Sequence, residues 1–320
     1  MEPAMPSPIE QTIAALSNRN KPILSSRLAD LSSLNSAELK LFERAWETIE
    51  PKRRRHIMYR LVELAEDNFE LDFNSIFKGC LNDQDTEVRS KAIEGLWESE
   101  EASLIEPLIN LLEQDSSQKV QATAAIALGK FAMLAELKKV RSSHKSKICQ
   151  TLLAVINDKS KPLEVQRRAL EAAAPLSLPQ MMKAIVEAYQ SGNPTLRTSA
   201  LFAMGKSCNP SWLPILLNEL ASDDAEIRNE AAGACGELGE EEAAPYLIEL
   251  IHDPDVDVQL AVVQALGKIG GAEAKGCLEK CLNNPDEVIQ QAAEQALRQL
   301  EAEENPLSFQ MEEEIEEYGE

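Results

Sequence analysis

One short helical pattern returns seven times along this chain of 320 residues, and most returns lie about 31 residues apart. Each copy opens on an apolar anchor: Val88, Val120, Val165, Leu196, Ile227, Val258 and Val288. Successive anchors are 32, 45, 31, 31, 31 and 30 residues apart. Four residues on stand Ala92, Ala124, Ala169, Ala200, Ala231, Val262 and Ala292; seven on stand Gly95, Ala127, Ala172, Ala203, Ala234, Ala265 and Gln295. Positions four and seven past an anchor share one helical stripe, so small side chains there let a neighbouring helix approach closely. A unit of this length cannot bury its apolar face alone, whereas stacked copies bury a continuous core.

Each copy reads as two helices. An apolar run at helical spacing precedes the anchor, as in Ile105-Leu108-Ile109-Leu112, Leu213-Leu216-Leu217-Leu220 and Tyr246-Leu247-Leu250-Ile251. The turns carry helix-start chemistry: Asn193-Pro194, Asp253-Pro254 and Asn284-Pro285 each place a capping side chain before a proline suited to the first helical position. Leu238-Gly239 and Gly270-Gly271 suit helix exits. No stretch alternates with period two, so no strand is expected. Asp85 and Arg89, and Asp224 and Arg228, stand four apart at one repeat position. That spacing predicts either a pair within the helix or a ladder between neighbouring repeats.

The texture Asp-x-x-Val-Arg-x-x-Ala-x-x-Ala-Leu-Gly resembles HEAT repeats, in particular the short bacterial kind of the phycobilisome lyases. Residues 224–236 and 255–267 carry it best, 85–97 less fully. The resemblance covers about 85–300. It implies an all-α, right-handed α-solenoid of about seven to eight helix pairs. HEAT arrays mostly hold partner proteins and only a few do chemistry, so the implied function is a non-catalytic scaffold or adaptor. The same likeness admits a second reading, a lyase-like or chaperone-like subunit acting on a cofactor-bearing protein.

The expected organisation is an N-terminal extension with short helices over 1–35, a solenoid over 36–302, and an acidic tail over 303–320. Residues 1–8 hold three prolines and read as disordered. The stretch 36–83 forms a degenerate first repeat that caps the stack, with Leu39, Phe42, Trp46 and Ile49 on its apolar face. The 45-residue step hides a basic insertion, AELKKVRSSHKSK, over 135–147. Two readings stand beside each other: a loop on a binding face, or a solvated extension of a helix.

Charge is strongly polarised. The net charge is −22, yet residues 119–168 hold 11 basic and three acidic residues. Residues 223–300 hold 17 acidic against five basic residues, and 301–320 hold nine Glu with no Lys or Arg. Such asymmetry speaks about partners rather than fold. The candidate partner-binding residues are therefore Lys138, Lys139, Arg141, Lys145, Lys147, Arg167 and Arg168. In the tail, Leu307, Met311, Ile315 and Tyr318 fall at i, i+4, i+8 and i+11, the pattern of an amphipathic docking helix as well as of a solubilising tail. The two oppositely charged segments are expected to meet. Nucleic-acid binding through the basic middle, with a second cluster at Lys52, Arg53, Arg54 and Arg55, is an alternative that the overall charge disfavours.

The chemistry of an enzyme is not evident. His56, His144 and His252 are scattered, and the His-Glu dipeptides that hold two irons in HEAT-like hydroxylases do not occur. The run Asp253-Pro254-Asp255-Val256-Asp257 has Val258 and Gln264 where a calcium loop needs Gly and Glu, so helix capping by Asp253 explains it better. Cys277 and Cys281 are four apart but lack further ligands nearby. The cysteines read as small core residues of a cytoplasmic protein. No catalytic residue, metal or cofactor is expected; neither is a leader peptide or a membrane span. The partner expected is another protein, and the sequence leaves its identity and the oligomeric state open.

Overall fold

The computed structural model describes residues 7–18 and 21–304, with side chains through residue 302. Every regular element among the described residues is helical. Two short helices, α1 (Pro8–Ser17) and α2 (Ser25–Ala29), come first. Ser7 caps α1 and Pro8 takes its first position, so the expected disorder of 1–8 does not extend to these two residues. Eight helix pairs follow. The first four are α3 (Ser36–Trp46) with α4 (Pro51–Asp67), α5 (Asn74–Cys80) with α6 (Thr86–Gly95), α7 (Ile105–Gln114) with α8 (Gln118–Glu136), and α9 (Ser142–Asn157) with α10 (Leu163–Ala173). The next four are α11 (Pro179–Tyr189) with α12 (Pro194–Lys206), α13 (Leu213–Glu219) with α14 (Ala225–Leu238), α15 (Ala244–Glu249) with α16 (Val256–Ile269), and α17 (Gly271–Cys281) with α18 (Glu287–Glu304).

The chain forms two compact units, Met1–Ala172 and Ala173–Glu320. Within the first, the second helices stack in sequence, α4 on α6 and α6 on α8. Within the second, α12 packs on α14, α14 on α16 and α16 on α18. In both, first helices cover the second ones from the other side, as α7 does α8 and α13 does α14. The anchors explain the stack. Val88, Val120, Val165 and Val258 are fully buried, and so are the small residues four further on, from Ala92 to Val262. Ile57 lies 31 residues before Val88, is also buried, and is followed at the fourth position by buried Leu61 rather than Ala, which marks the first pair as the irregular one.

The last anchor differs from the sequence expectation by one residue. Val288 is 54% exposed, whereas Ile289 is fully buried and is followed by buried Ala293 and Ala296. The step from Val258 becomes 31, and the apparent misfit of Gln295 disappears because it faces solvent. The correct register buries three apolar side chains where the other exposes them, which decides between two adjacent β-branched candidates.

Helix starts also shift at two turns. Asn193 caps α12 ahead of Pro194 as expected. Asp255, not Asp253, caps α16, and Asp286, not Asn284, accepts the Val288 amide at the start of α18. Each proline therefore precedes the cap. Asp253 instead accepts the Asp255 amide at 2.9 Å, as Asn284 does the Asp286 amide, and it binds Arg228 of the previous repeat at 2.8 and 2.9 Å. At the exits, Gly239 and Gly270 take positive φ, as the glycine pattern suggests.

Candidate functional site

Most groups that stand out in the sequence serve the stack. The residue after most anchors reaches back to its own turn. The Arg89 guanidinium donates to the Asp83 carbonyl at 2.7 Å and that of Arg228 to the Ser222 carbonyl at 2.8 Å. The Gln259 amide makes the same bond to the Asp253 carbonyl at 2.7 Å. The two arginines also span repeats, Arg89 to Asp115 at 2.7 and 2.8 Å and Arg228 to Asp253. The ladder between repeats therefore forms, and the pair within the helix does not: Asp85 and Asp224 cap their helices, and Asp85 binds Arg55 of the preceding repeat at 2.7 Å. The hydrogen bond from Arg228 holds the Asp253 carboxyl below its ordinary pKa despite its burial. Arg197 makes a variant rung to buried Glu219, which Tyr189 also contacts through its hydroxyl.

The cysteines follow suit. Cys80, Cys149, Cys235, Cys277 and Cys281 are buried, and Cys208 is exposed. Burial pushes the Cys235 thiol up to about 12, far from a reactive thiolate. No cluster of three metal-ligating side chains occurs among the described residues.

The basic middle is more specific in structure than in sequence. The insertion is taken up mostly as helix. It lengthens α8 to 19 residues, against 14 in α14 and α16, and α9 to 16, against 11 in α11 and α17. The elbow between them starts with a two-bond helix stop: Lys138 N–H donates to Ala135 O at 3.2 Å and Lys139 N–H to Leu134 O at 2.8 Å. Lys138 itself sits at φ +60, where glycine is the usual occupant.

Four of the seven candidate cations are engaged by carboxylates. Lys145 binds Glu136 at 2.7 Å, and Lys147 binds Glu106 of α7. Arg167 and Arg168 both grip Glu164 and Glu171 of their own helix, at 2.5 to 3.1 Å. Burial pushes Glu164 up, but the two guanidiniums outweigh it and the carboxyl lies below its ordinary value. Lys138, Lys139 and Arg141 are exposed and make no ion pair among the described residues. Three cations are a small footprint for a polyanion on a chain of net charge −22, which weighs against nucleic acid. Of the second basic cluster, Arg53 binds the Leu16 carbonyl, Arg54 binds Asp83 and Arg55 binds Asp85.

Beside the three free cations lies a feature the repeat pattern conceals. Ile126, Met133 and Leu137 are 52%, 47% and 59% exposed and fall at i, i+7 and i+11 on the solvent side of α8. Lys130 lies between them on the same stripe and ties α8 to the Trp97 carbonyl at 2.8 Å; the Trp97 side chain is itself exposed. Met133 belongs to the lengthened end of α8, and Leu137 is its C-cap. The tail residues Leu307, Met311, Ile315 and Tyr318 lie outside the described residues.

The family follows from this geometry and from comparison. The HEAT-repeat family model matches residues 74–147 and 213–298, half of the chain. The chain is a HEAT-repeat protein. No curated protein matches this HEAT chain in sequence. Among solved structures, the Kap95:Nup1 complex matches with a TM-score of 0.51 at 13% identity, over 93% of this chain and 46% of that one. Human deoxyhypusine hydroxylase in complex with glycerol matches with a TM-score of 0.36 at 17% identity, over 92% and 96%. A designed armadillo repeat protein in complex with the peptide (KR)4 matches with a TM-score of 0.39 at 19% identity, over 61% and 99%. Likeness at such identities concerns the HEAT-type fold. No described helix of the HEAT stack is long and apolar enough to cross a membrane.

Proposed function

We propose that this HEAT protein is a non-catalytic scaffold that holds a partner protein, and that the partner seats on the exposed face of α8 and the elbow leading to α9. One observation carries the reading. Where the 31-residue period breaks, the chain exposes Ile126, Met133 and Leu137 in line, next to Lys138, Lys139 and Arg141. Elsewhere Arg89, Lys206 and Arg228 close rungs to carboxylates of the next repeat. An apolar stripe bordered by charge is the composition of an interaction surface, and nothing in the repeat requires it. The similar fold of Kap95 is solved in complex with Nup1, in keeping with a solenoid that holds proteins.

The organisation proposed with it treats 1–35 as an extension, 36–302 as the stack with 36–83 as its cap, and 303–320 as a separate acidic segment. A lyase-like or chaperone-like action on a cofactor-bearing protein would use the same surface and would show as a chromophore absorbing in the purified protein or its complex. The scaffold is tested by cross-linked capture of partners from the source cells. The wild-type chain is compared with Ile126→Ser/Met133→Ser/Leu137→Ser. Loss of a partner from the variant, with helicity and melting unchanged, supports the reading. An unchanged set of partners contradicts it.

A further inference from the structure

We propose that Cys277 and Cys281 form a two-coordinate thiolate site for a soft cation, Cu(I), in the groove between α15 and α17. All its residues belong to the unit Ala173–Glu320, and its ligand is an ion rather than a protein.

The two cysteines stand four apart in the C-terminal half of α17, so their side chains share one helical face. Both line a groove of about 1100 Å³, together with Ile248, Ile251, His252 and Gly276. A Cβ on Gly276 would meet nothing within 4 Å, so the groove is open beside Cys277. The two thiols interact directly with one another. Packing accounts for one thiol at such a place, not for two: α5 ends on the same Cys-Leu-Asn run, and the position four before Cys80 is Ile76. The other buried thiols, Cys80, Cys149 and Cys235, are pushed up by desolvation, and none has a second cysteine within four residues.

The spacing selects among the things a thiol pair can do. Cβ atoms four apart on a helix stand about 5–6 Å from one another, whereas a disulfide holds them at about 3.5–4.5 Å, so closing one would distort the end of α17. Structural zinc takes four ligands, and no third His, Cys, Asp or Glu joins the pair in a cluster among the described residues. A linear sulfur–metal–sulfur bridge needs no third ligand. With bonds of roughly 2.3 Å it holds the sulfurs roughly 4.6 Å apart, a gap that helical side chains four apart can span. Thiolates select Cu(I) over harder ions. Binding releases both thiol protons and leaves the bis-thiolate ion with a single negative charge, which Lys280 on the groove offsets.

Competition with the Cu(I) chelator bicinchoninate tests the site on the full-length chain, kept reduced and anaerobic. The wild type should withdraw one equivalent of Cu(I) from the chelator. Cys277→Ser and Cys281→Ser should each weaken uptake by at least about 100-fold, because one thiolate cannot hold a two-coordinate ion. Cys208→Ser changes the exposed thiol and should leave uptake as it is. X-ray absorption of the loaded chain should show two sulfur neighbours and no nitrogen. Cu(I) should also raise the melting temperature of the wild type and of Cys208→Ser, and not that of the other two variants, by mass action. That comparison is made within each variant, so it holds even where serine lowers the starting stability; Cys277→Ala, which buries no hydroxyl, repeats it. Failure of the wild type to take Cu(I) overturns the proposal, as does uptake that survives both serine changes at Cys277 and Cys281. A third ligand in the absorption spectrum, or equal loss in Cys208→Ser, overturns it as well.

Discussion

A Cβ on Gly236 would stand 2.7 Å from the Cα of Ala265 in the next repeat. The second helices α14 and α16 therefore touch backbone to backbone at this point. The same contact recurs between Gly205 and Ala234 and between Gly267 and Ala296. In each case the glycine is nine past its anchor and the alanine seven past the following one. The small-residue code of the repeat thus has a reciprocal partner one period later, and the pair sets the spacing of the stack.

Two glycines of α14 should then respond oppositely to alanine. Gly236→Ala drives a methyl into backbone and is expected to destabilise unit Ala173–Glu320 by about 2–4 kcal/mol. At Gly233 the added methyl meets nothing within 4 Å, so Gly233→Ala should stabilise by about 0.5–1 kcal/mol through helix propensity. Urea unfolding of the two variants checks both signs.

The rung between Arg228 and Asp253 is nearly closed to solvent, with side-chain exposures of 12% and 4%. Arg228→Ala leaves a buried carboxylate and an uncovered turn carbonyl, and is expected to lose about 1–3 kcal/mol. Arg298→Ala breaks only an exposed pair with Glu294 and should change stability by less than about 0.5 kcal/mol. Chemical melts of the two variants separate buried from surface pairing.

The same rung predicts a pH dependence. The carboxyl of Asp253 is depressed in the folded chain by the hydrogen bond from Arg228. Its contribution is then complete above the ordinary aspartate value of about 3.9 and disappears as pH falls through the depressed folded value. The stability difference between wild type and Asp253→Asn should be constant from pH 7 to about 5 and shrink below about 4. A difference that grows on acidification would contradict the assignment.

Cys208 ends α12 at φ +48, a conformation costly for a side chain with a Cβ. Cys208→Gly should stabilise by about 0.5–1 kcal/mol, measured by thermal melting under reducing conditions. The exposed thiol makes the replacement free of packing loss.

The anchors and their small neighbours are legible in sequence because close helix packing admits few residue types. Register at the last repeat is harder: Val288 and Ile289 are adjacent and equally apolar, and only the burial of Ala293 and Ala296 separates them. Caps are ambiguous for a related reason, since Asp253 and Asp255 both suit a helix start; the residue two before the cap accepts the cap amide at Asp83, Asp253 and Asn284 alike. The fate of the basic residues is invisible locally, because Lys147 finds Glu106 across 41 positions. The α8 stripe had a signal, three apolar residues on the side away from Val120 and Ala124. The anchor Val120 and Ala124 define the opposite, buried face.

The central claim is that function sits where the period breaks, on the α8 face, and that the regular groups serve the stack. The most direct measurement is a titration of the captured partner against two full-length variants. Met133→Ser/Leu137→Ser should weaken binding by at least about tenfold, equivalent to ~1.4 kcal/mol, with no change in melting. Lys206→Gln removes a cation paired with Glu237 on another helix and should bind like the wild type. Wild-type affinity in the α8 variant, or equal loss in both, would contradict the account.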